Sequence, residues 1–411
     1  MTLVREAATI HPELVRIRRE LHARPELGLR LPETQRVILR ELALIRDRAQ
    51  LTDADLRIHT GERLDSVTAV LTGGRPGPTV LLRGDMDALP VIENTGLEFA
   101  SDNGAMHACG HDLHVTGLLG AVRLLVARRA ELAGSVLFMF QPGEEGFHGA
   151  RQMLEEGLLE LTGERPIGAY GLHVSSGMVP HGTFTSRPGT MMAGSAELDV
   201  TVRGKGGHAS APHNAQDPIA VACELVTALQ TLVTRQFSVF DPIVVTVGSF
   251  HAGTARNIIP AEASFQATIR TFGPEASEYA TERIPALLNG IVQAHGLTAA
   301  VDYRPGYPVT SNAPDHVEFA AQAVSDLFGS ARYRPMTDPI GGSEDFSYVL
   351  NEVPGAFLFL GACPPGQDHE NTPANHSPEA FFDDAVLADA AALLAELAMR
   401  RLRTGSGSAE S

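Results

Sequence analysis

Cys109, His111, Glu145, His173 and His376 are residue types that bind transition metals, and each stands in a local setting that suits a ligand. Cys109 and His111 fall in His107-Ala108-Cys109-Gly110-His111-Asp112, and Glu145 follows Glu144 in Gln141-Pro142-Gly143-Glu144-Glu145-Gly146. His173 closes the apolar run Tyr170-Gly171-Leu172-His173, and His376 lies in Pro373-Ala374-Asn375-His376-Ser377-Pro378. A thiolate, three imidazoles and a carboxylate exceed one tetrahedral shell but suit two divalent ions that share a ligand. The chemistry this predicts is metal-assisted hydrolysis. Cys and His suit Zn²⁺, and a mixed N/O/S set also accepts Mn²⁺, Co²⁺ or Ni²⁺. The adjacent Glu144 and Glu145 cannot both point the same way from an extended segment, so one serves metal and the other faces substrate. His107 and His114 read as supporting or packing groups rather than ligands.

These residues need elements to position them. Residues 9–24 and 32–49 carry amphipathic helical patterns, the second with Pro32 in its first turn. Strands are expected at 67–71 and 79–82 across the turn-rich Gly73–Pro78, then a helix after Asp112, a strand at 135–140, a helix near 149–156 and a strand ending at His173. The alternation predicts an α/β domain with helices on both faces of a mixed sheet. In such sheets sites gather where strands end in loops, and Asp85, Glu144, Glu145 and His173 all follow apolar strand-like runs.

Residues 186–303 change character. Strand 196–203, helix 215–235, strands 243–249 and 263–271, helix 274–295 and strand 298–304 give the ferredoxin-like order β-α-β-β-α-β. The α/β pattern resumes with a helix at 315–328, a strand at 356–360 and a final helix from about 378 to 403. Because His376 belongs to the metal set, 1–185 and 304–411 must form one discontinuous catalytic domain, with 186–303 inserted. The Gly/Ser-rich tail 404–411 is expected to fray.

Composition narrows the function classes. With 411 residues, 44% of them hydrophobic and 20% charged, the chain can bury more than one core. A net charge of −17 argues against bulk nucleic-acid binding. No apolar run approaches a membrane span, and no signal-peptide core is evident. Three cysteines imply no disulfide framework, and Cys223 and Cys363 read as small buried hydrophobes. The expected setting is the cytoplasm.

The chain resembles the M20 metallopeptidase and amidohydrolase family, in the branch of N-acyl-amino-acid amidohydrolases, hippurate hydrolases, acetyl-diaminopimelate deacetylases and auxin-conjugate hydrolases. The likeness rests on Arg83-Gly84-Asp85-Met86-Asp87-Ala88-Leu89-Pro90, the His107–Asp112 hexapeptide, Gln141–Gly146, Gly206-Gly207-His208-Ala209, Asn257-Ile258-Ile259-Pro260 and Gly342-Ser343-Glu344-Asp345-Phe346. They occur in the right order and span nearly the whole chain. The wider family has histidine where this chain has Asp85. The resemblance implies that Glu145 is the ligand and Glu144 the general base, with Asp87 supporting the ligands from behind. It implies that His208 steadies the oxyanion in a partner subunit's site, and that Asn257 and Arg270 lie near substrate, Arg270 suited to a free carboxylate. The inserted domain would then serve dimerisation or act as a lid, and the substrate would be an N-acyl amino acid or a dipeptide.

Three classes compete at this stage. They are a dinuclear amidase (or a small-peptide metallopeptidase of the same family), a cysteine hydrolase using Cys109, and a non-catalytic binding protein on the same fold. The complete ligand set together with Glu144 favours the amidase.

Overall fold

The computed structural model of the protein describes residues 2–405. The chain divides into two compact units, one made of Met1–Gly189, Ser311–Thr337 and Tyr348–Ser411, the other of Thr190–Thr310 and Asp338–Ser347. The first unit is built on an eight-stranded mixed sheet. Its strands run, in spatial order, Leu56–Thr60, Val67–Thr72, Ala133–Gln141, Arg75–Asp85, Gly168–Ser175, Gly355–Gly361, Phe184–Ser186 and Tyr333–Pro335. The four central strands, from Ala133–Gln141 to Gly355–Gly361, are mutually parallel. Gly168–Ser175 and Gly355–Gly361 are buried at every residue, the continuous apolar reading expected of parallel strands covered on both faces.

The covering helices show why their sequences fold as they do. His111–Ala127 is buried along almost its whole length and packs against Leu387–Gly405 and Leu3–His22. The close crossing needs small residues. A Cβ on Gly120 would stand 2.6 Å from the Ala391 Cβ and 3.2 Å from Leu14 Cδ1. We therefore expect Gly120→Val to cost about 1–3 kcal/mol through overpacking, seen as a lower urea midpoint.

Element boundaries differ from the sequence expectation in instructive places. The first helix begins at Leu3 rather than residue 9, because Leu3, Ala7 and Ile10 extend its buried stripe and Pro12 is accommodated inside it. The last helix begins at Leu387, not near Pro378, since Asp383 caps a separate short turn over Asp384–Val386. Thr404 and Gly405 continue that helix instead of fraying, and the rest of the expected tail, 406–411, lies outside the described residues. Cys223 is exposed, contrary to expectation, on the outer face of its helix, whereas Cys363 is buried; all three cysteines are free. Among the described residues no helix is long and apolar enough to cross a membrane.

The second unit holds a four-stranded antiparallel sheet in the order Ile243–Ala252, Glu262–Thr271, Gly194–Arg203, Thr298–Pro305. Alternate residues of Glu262–Thr271 (Ala263, Phe265, Ala267, Ile269) point into a core shared with the helices Pro218–Gln236 and Pro274–Ala294. The first of these helices starts at Pro218 because Asp217 caps it, its side chain accepting the Ile219 N–H at 2.9 Å. Asp338–Ser347 joins this unit although it lies far along the chain, and Ser343 Oγ accepts a hydrogen bond from Arg270 Nη1 at 3.0 Å.

Candidate metal centre

The parallel strands deliver their C-terminal ends to one place in the first unit. Asp85 is the last residue of Arg75–Asp85, and Glu144 and Glu145 follow the end of Ala133–Gln141. His173 lies inside Gly168–Ser175, two residues before the strand ends rather than at its close. His111 opens its helix behind Gly110, whose left-handed φ of 81° makes the turn. A Cβ at Gly110 would also stand 2.3 Å from Val174 Cγ2, so only glycine lets the Cys109 loop approach the His173 strand this closely.

Cys109, His111, Glu145, His173 and His376 come together there. Cys109 Sγ lies 3.4 Å from His173 Nε2 and 3.3 Å from His376 Nε2. Glu145 Oε1 lies 3.4 Å from His376 Nε2 and 3.9 Å from His111 Nε2. Two groups of the size that holds an ion result, Cys109–His111–His173 and Cys109–Glu145–His376, with Cys109 common to both. Glu144 joins His111 and Glu145 in an adjoining group, and Asp85, His111 and His114 make another. Both ring nitrogens of His111 and Oε1 of Glu145 are buried without a hydrogen-bond partner. Buried polar atoms left unpaired cost stability, and a cation placed among them would satisfy them.

Hydrogen bonds set the tautomers. His173 Nδ1–H donates to the Val174 carbonyl at 2.7 Å, which leaves the Nε2 lone pair facing Cys109. Burial, reinforced by His114, holds the His173 pKa well below the usual imidazole value, so the ring is neutral. His114 is wired the other way. Its Nε2 accepts the Val174 N–H at 2.8 Å, so Nδ1–H donates to Asp85 Oδ1 at 2.5 Å. Its lone pair is thereby used, and its position is that of a support. Asp85 also pairs with Arg83 Nη1 at 2.8 Å, and its Oδ2 lies 3.4 Å from His111 Nε2. Burial would raise the Asp85 pKa, but Arg83, His111 and His114 together drive it well below the carboxylate range.

Asp87 braces the glutamates. Its Oδ1 accepts the Glu144 N–H at 2.9 Å, its Oδ2 the Glu145 N–H at 3.0 Å, and His111 Nδ1 lies 3.6 Å from Oδ1. Glu144 is 7% exposed, while the His376 side chain, 56% exposed, stands at the rim. The hydrogen bond to Cys109 and then the nearby Glu145 carboxylate push the His376 pKa up to about 10. For His111, burial is outweighed by Asp85, Asp87 and Cys109, and its pKa rises well above the usual value. In the metal-free protein the neighbouring carboxylates and the Cys109 sulfur favour the protonated form of both imidazoles.

A second buried network, which sequence reasoning missed, anchors the start of the His111 helix. Asp112 Oδ2 accepts from Arg18 Nε at 2.7 Å and lies 2.8 Å from His22 Nδ1, and His22 Nε2 lies 3.1 Å from Glu93 Oε1. Arg18 Nη1 continues to Asp384 Oδ1 at 3.2 Å. His107 is buried nearby with neither ring nitrogen hydrogen-bonded, and burial lowers its pKa to about 3. It belongs to none of the ion-sized groups.

The other predicted site residues lie in the second unit. A two-stranded ribbon pairs Gly207–His208 with Ile258–Ile259, which brings His208 beside Asn257, whose carbonyl accepts the Ala209 N–H at 3.2 Å. Both side chains are exposed. Ser210 N–H donates to His208 Nδ1 at 3.2 Å, so the neutral ring carries its proton on Nε2. Arg270 is not with them. It sits at the opposite end of Glu262–Thr271, roughly 25 Å along the strand at about 3.4 Å per residue.

Comparison with known proteins fits this arrangement. The sequence profile of peptidase family M20/M25/M40 matches residues 81–400. N-acetylcysteine deacetylase of Bacillus subtilis is 36% identical over 395 residues, covering 96% of this chain and 98% of that protein. Thermostable carboxypeptidase 1 of Saccharolobus solfataricus is 34% identical over 392 residues, 94% of each. The crystal structure of a Bacillus subtilis dinuclear metal-binding peptidase of the M20 family superposes with a TM-score of 0.80 at 32% identity, over 97% of this chain and 99% of that one. With catalytic-type carboxylates and ligand groups gathered at the strand ends, the chain belongs to peptidase family M20/M25/M40 and is a hydrolase.

Proposed function

We propose that the protein is a metal-dependent amidohydrolase that splits N-acyl amino acids into a carboxylic acid and an amino acid. The observation that carries this reading is the pair of ligand triads sharing Cys109, with Glu144 beside them. The donor set fits two divalent ions, Zn²⁺ or Mn²⁺ first, with Co²⁺ or Ni²⁺ as alternatives. Once bound, such a pair supplies Lewis acidity and lowers the pKa of water. The remaining chemistry belongs to the chain. Glu144, held by Asp87 through its backbone N–H, takes the proton of the attacking water and returns it to the leaving nitrogen. Arg270, steadied by Ser343, offers its fork to the substrate carboxylate, with Asn257 as a further polar contact. His208 presents Nε2–H to the developing oxyanion.

His208 with Asn257 and Arg270 stand at opposite ends of one unit, too far apart to converge on one small substrate. They therefore serve different active sites, which a symmetric homodimer built through the inserted unit provides. We assign the 186–303 segment this dimerising role. The three free cysteines suit a reducing compartment, in keeping with a cytoplasmic location.

A second reading, cleavage of small peptides, is favoured by the likeness to a carboxypeptidase. Hydrolysis rates on N-acetyl and N-benzoyl amino acids set against dipeptides decide between the two. A cysteine hydrolase using Cys109 would keep its activity in a strong chelator, whereas the proposed enzyme loses it and regains it with added metal.

Metal titration of the apoprotein tests the core of the proposal. We expect two ions per chain at full activity, and a ratio that stays at one would refute the shared-ligand arrangement. Uptake at neutral pH should also release protons, because His376, with its pKa near 10, and His111 must shed theirs to bind. Apparent affinity should accordingly rise as pH increases from 6 to 9. Flat affinity over that range would show that these imidazoles are not ligands.

A further inference from the structure

We propose that Asn375 is a positioning residue of the metal centre, its carboxamide locking three ligand-bearing segments together and directing an N–H toward the Cys109 sulfur. The inference rests on Cys109, His173 and His376 being ligands. Its own support is the set of contacts around one partly buried side chain. Oδ1 of Asn375 accepts the Ser176 N–H at 3.0 Å. A backbone N–H can only donate, so this bond fixes which end of the amide is oxygen. The NH₂ group then faces the centre, with Nδ2 at 3.1 Å from Val174 O, 3.4 Å from Cys109 O and 3.8 Å from Cys109 Sγ.

Each partner bears on a ligand. Val174 O also accepts from His173 Nδ1–H, so one carbonyl fixes the His173 tautomer and receives the Asn375 amide. The second amide proton is shared between the carbonyl and the sulfur of Cys109. Through the chain, Asn375 holds His376, which adopts a left-handed backbone with φ of 73° that non-glycine residues rarely take. His376 N–H donates to Ala108 O at 2.8 Å, and Ser176 Oγ lies 2.8 Å from Pro373 O, so both sides of the residue are sewn down. Surroundings that fix so strained a backbone over-determine where the imidazole points. An N–H aimed at a thiolate lowers its electron density, which should tune both affinity and the sulfur-to-metal charge-transfer energy.

The test uses Co²⁺, whose bond to thiolate absorbs in the near ultraviolet. Wild type, Asn375→Ala and Asn375→Asp are loaded with Co²⁺, and affinity is measured by chelator competition alongside the absorption spectrum. Asn375→Asp keeps an acceptor for Ser176 but loses the N–H groups that face Val174 O, Cys109 O and the Cys109 sulfur, so a role confined to the Ser176 bond would leave it like wild type. We expect both variants to bind Co²⁺ about 10- to 100-fold more weakly and to show a shifted sulfur band. Wild-type affinity and band in Asn375→Asp would overturn the proposal, and this variant decides the matter if Asn375→Ala does not fold. Absence of any sulfur band in the wild-type protein would be a different failure, sinking the assignment of Cys109 as a ligand and this inference with it.

Discussion

In the Glu144→Gln protein, turnover falls on the order of 10²- to 10⁴-fold while metal content stays at the wild-type value. The two effects separate because the substitution is nearly isosteric. The variant keeps the backbone N–H at position 144 that Asp87 accepts, so the loop carrying Glu145 stays in place. What disappears is the carboxylate's ability to take and return a proton. Its neighbour behaves differently. Glu145→Ala removes an oxygen that stands 3.4 Å from His376 Nε2 and 3.9 Å from His111 Nε2, and metal content drops along with activity. Metal analysis and kcat on the same preparations check both halves, and near-normal kcat in Glu144→Gln would reverse the two assignments.

Co-production of two inactive chains, His208→Ala and Glu144→Ala, restores roughly a quarter of wild-type activity if each site of a symmetric dimer takes His208 from its neighbour. A mixed dimer then has one complete site, formed by Glu144 of the first chain and His208 of the second, and one site lacking both. Random pairing makes half the dimers mixed. Differential tags isolate them and establish that they exist. No recovery in isolated mixed dimers would return His208 to its own chain's site or remove it from catalysis.

The clustering of the proposed ligands is legible in the sequence because their residue types are rare and their neighbourhoods distinctive. Cys109 and His111 share one hexapeptide, and Glu145 follows an apolar strand. The central strands are legible from their continuous apolar runs, and the inserted unit from its alternation. What escapes detection depends on pairing across the fold. Nothing around Arg18 or His22 announces that both meet Asp112, because a buried ion pair leaves no periodic trace in the sequence. The support of Asp85 by Arg83 and His114 is hidden for the same reason. The strands Phe184–Ser186 and Tyr333–Pro335 are too short to show alternation. Cys223 defeats the expectation of burial because a small residue in an amphipathic helix can occupy either face.

The discontinuous first unit also fixes an order of events while the chain is being made. Strand Gly168–Ser175 pairs on one side with Gly355–Gly361, and Arg18 waits for Asp384. A nascent chain would therefore carry the open edge of a strand that the finished fold buries throughout, while the inserted unit, synthesised meanwhile, can close its own sheet first. Such edges recruit other strands, so chains halted before residue 355 should be prime clients for chaperones. Cys109 meanwhile stays without His376 until nearly the end of translation. On the proposed ligand set, a chain that stops short of residue 376 lacks one ligand and would not load the complete centre.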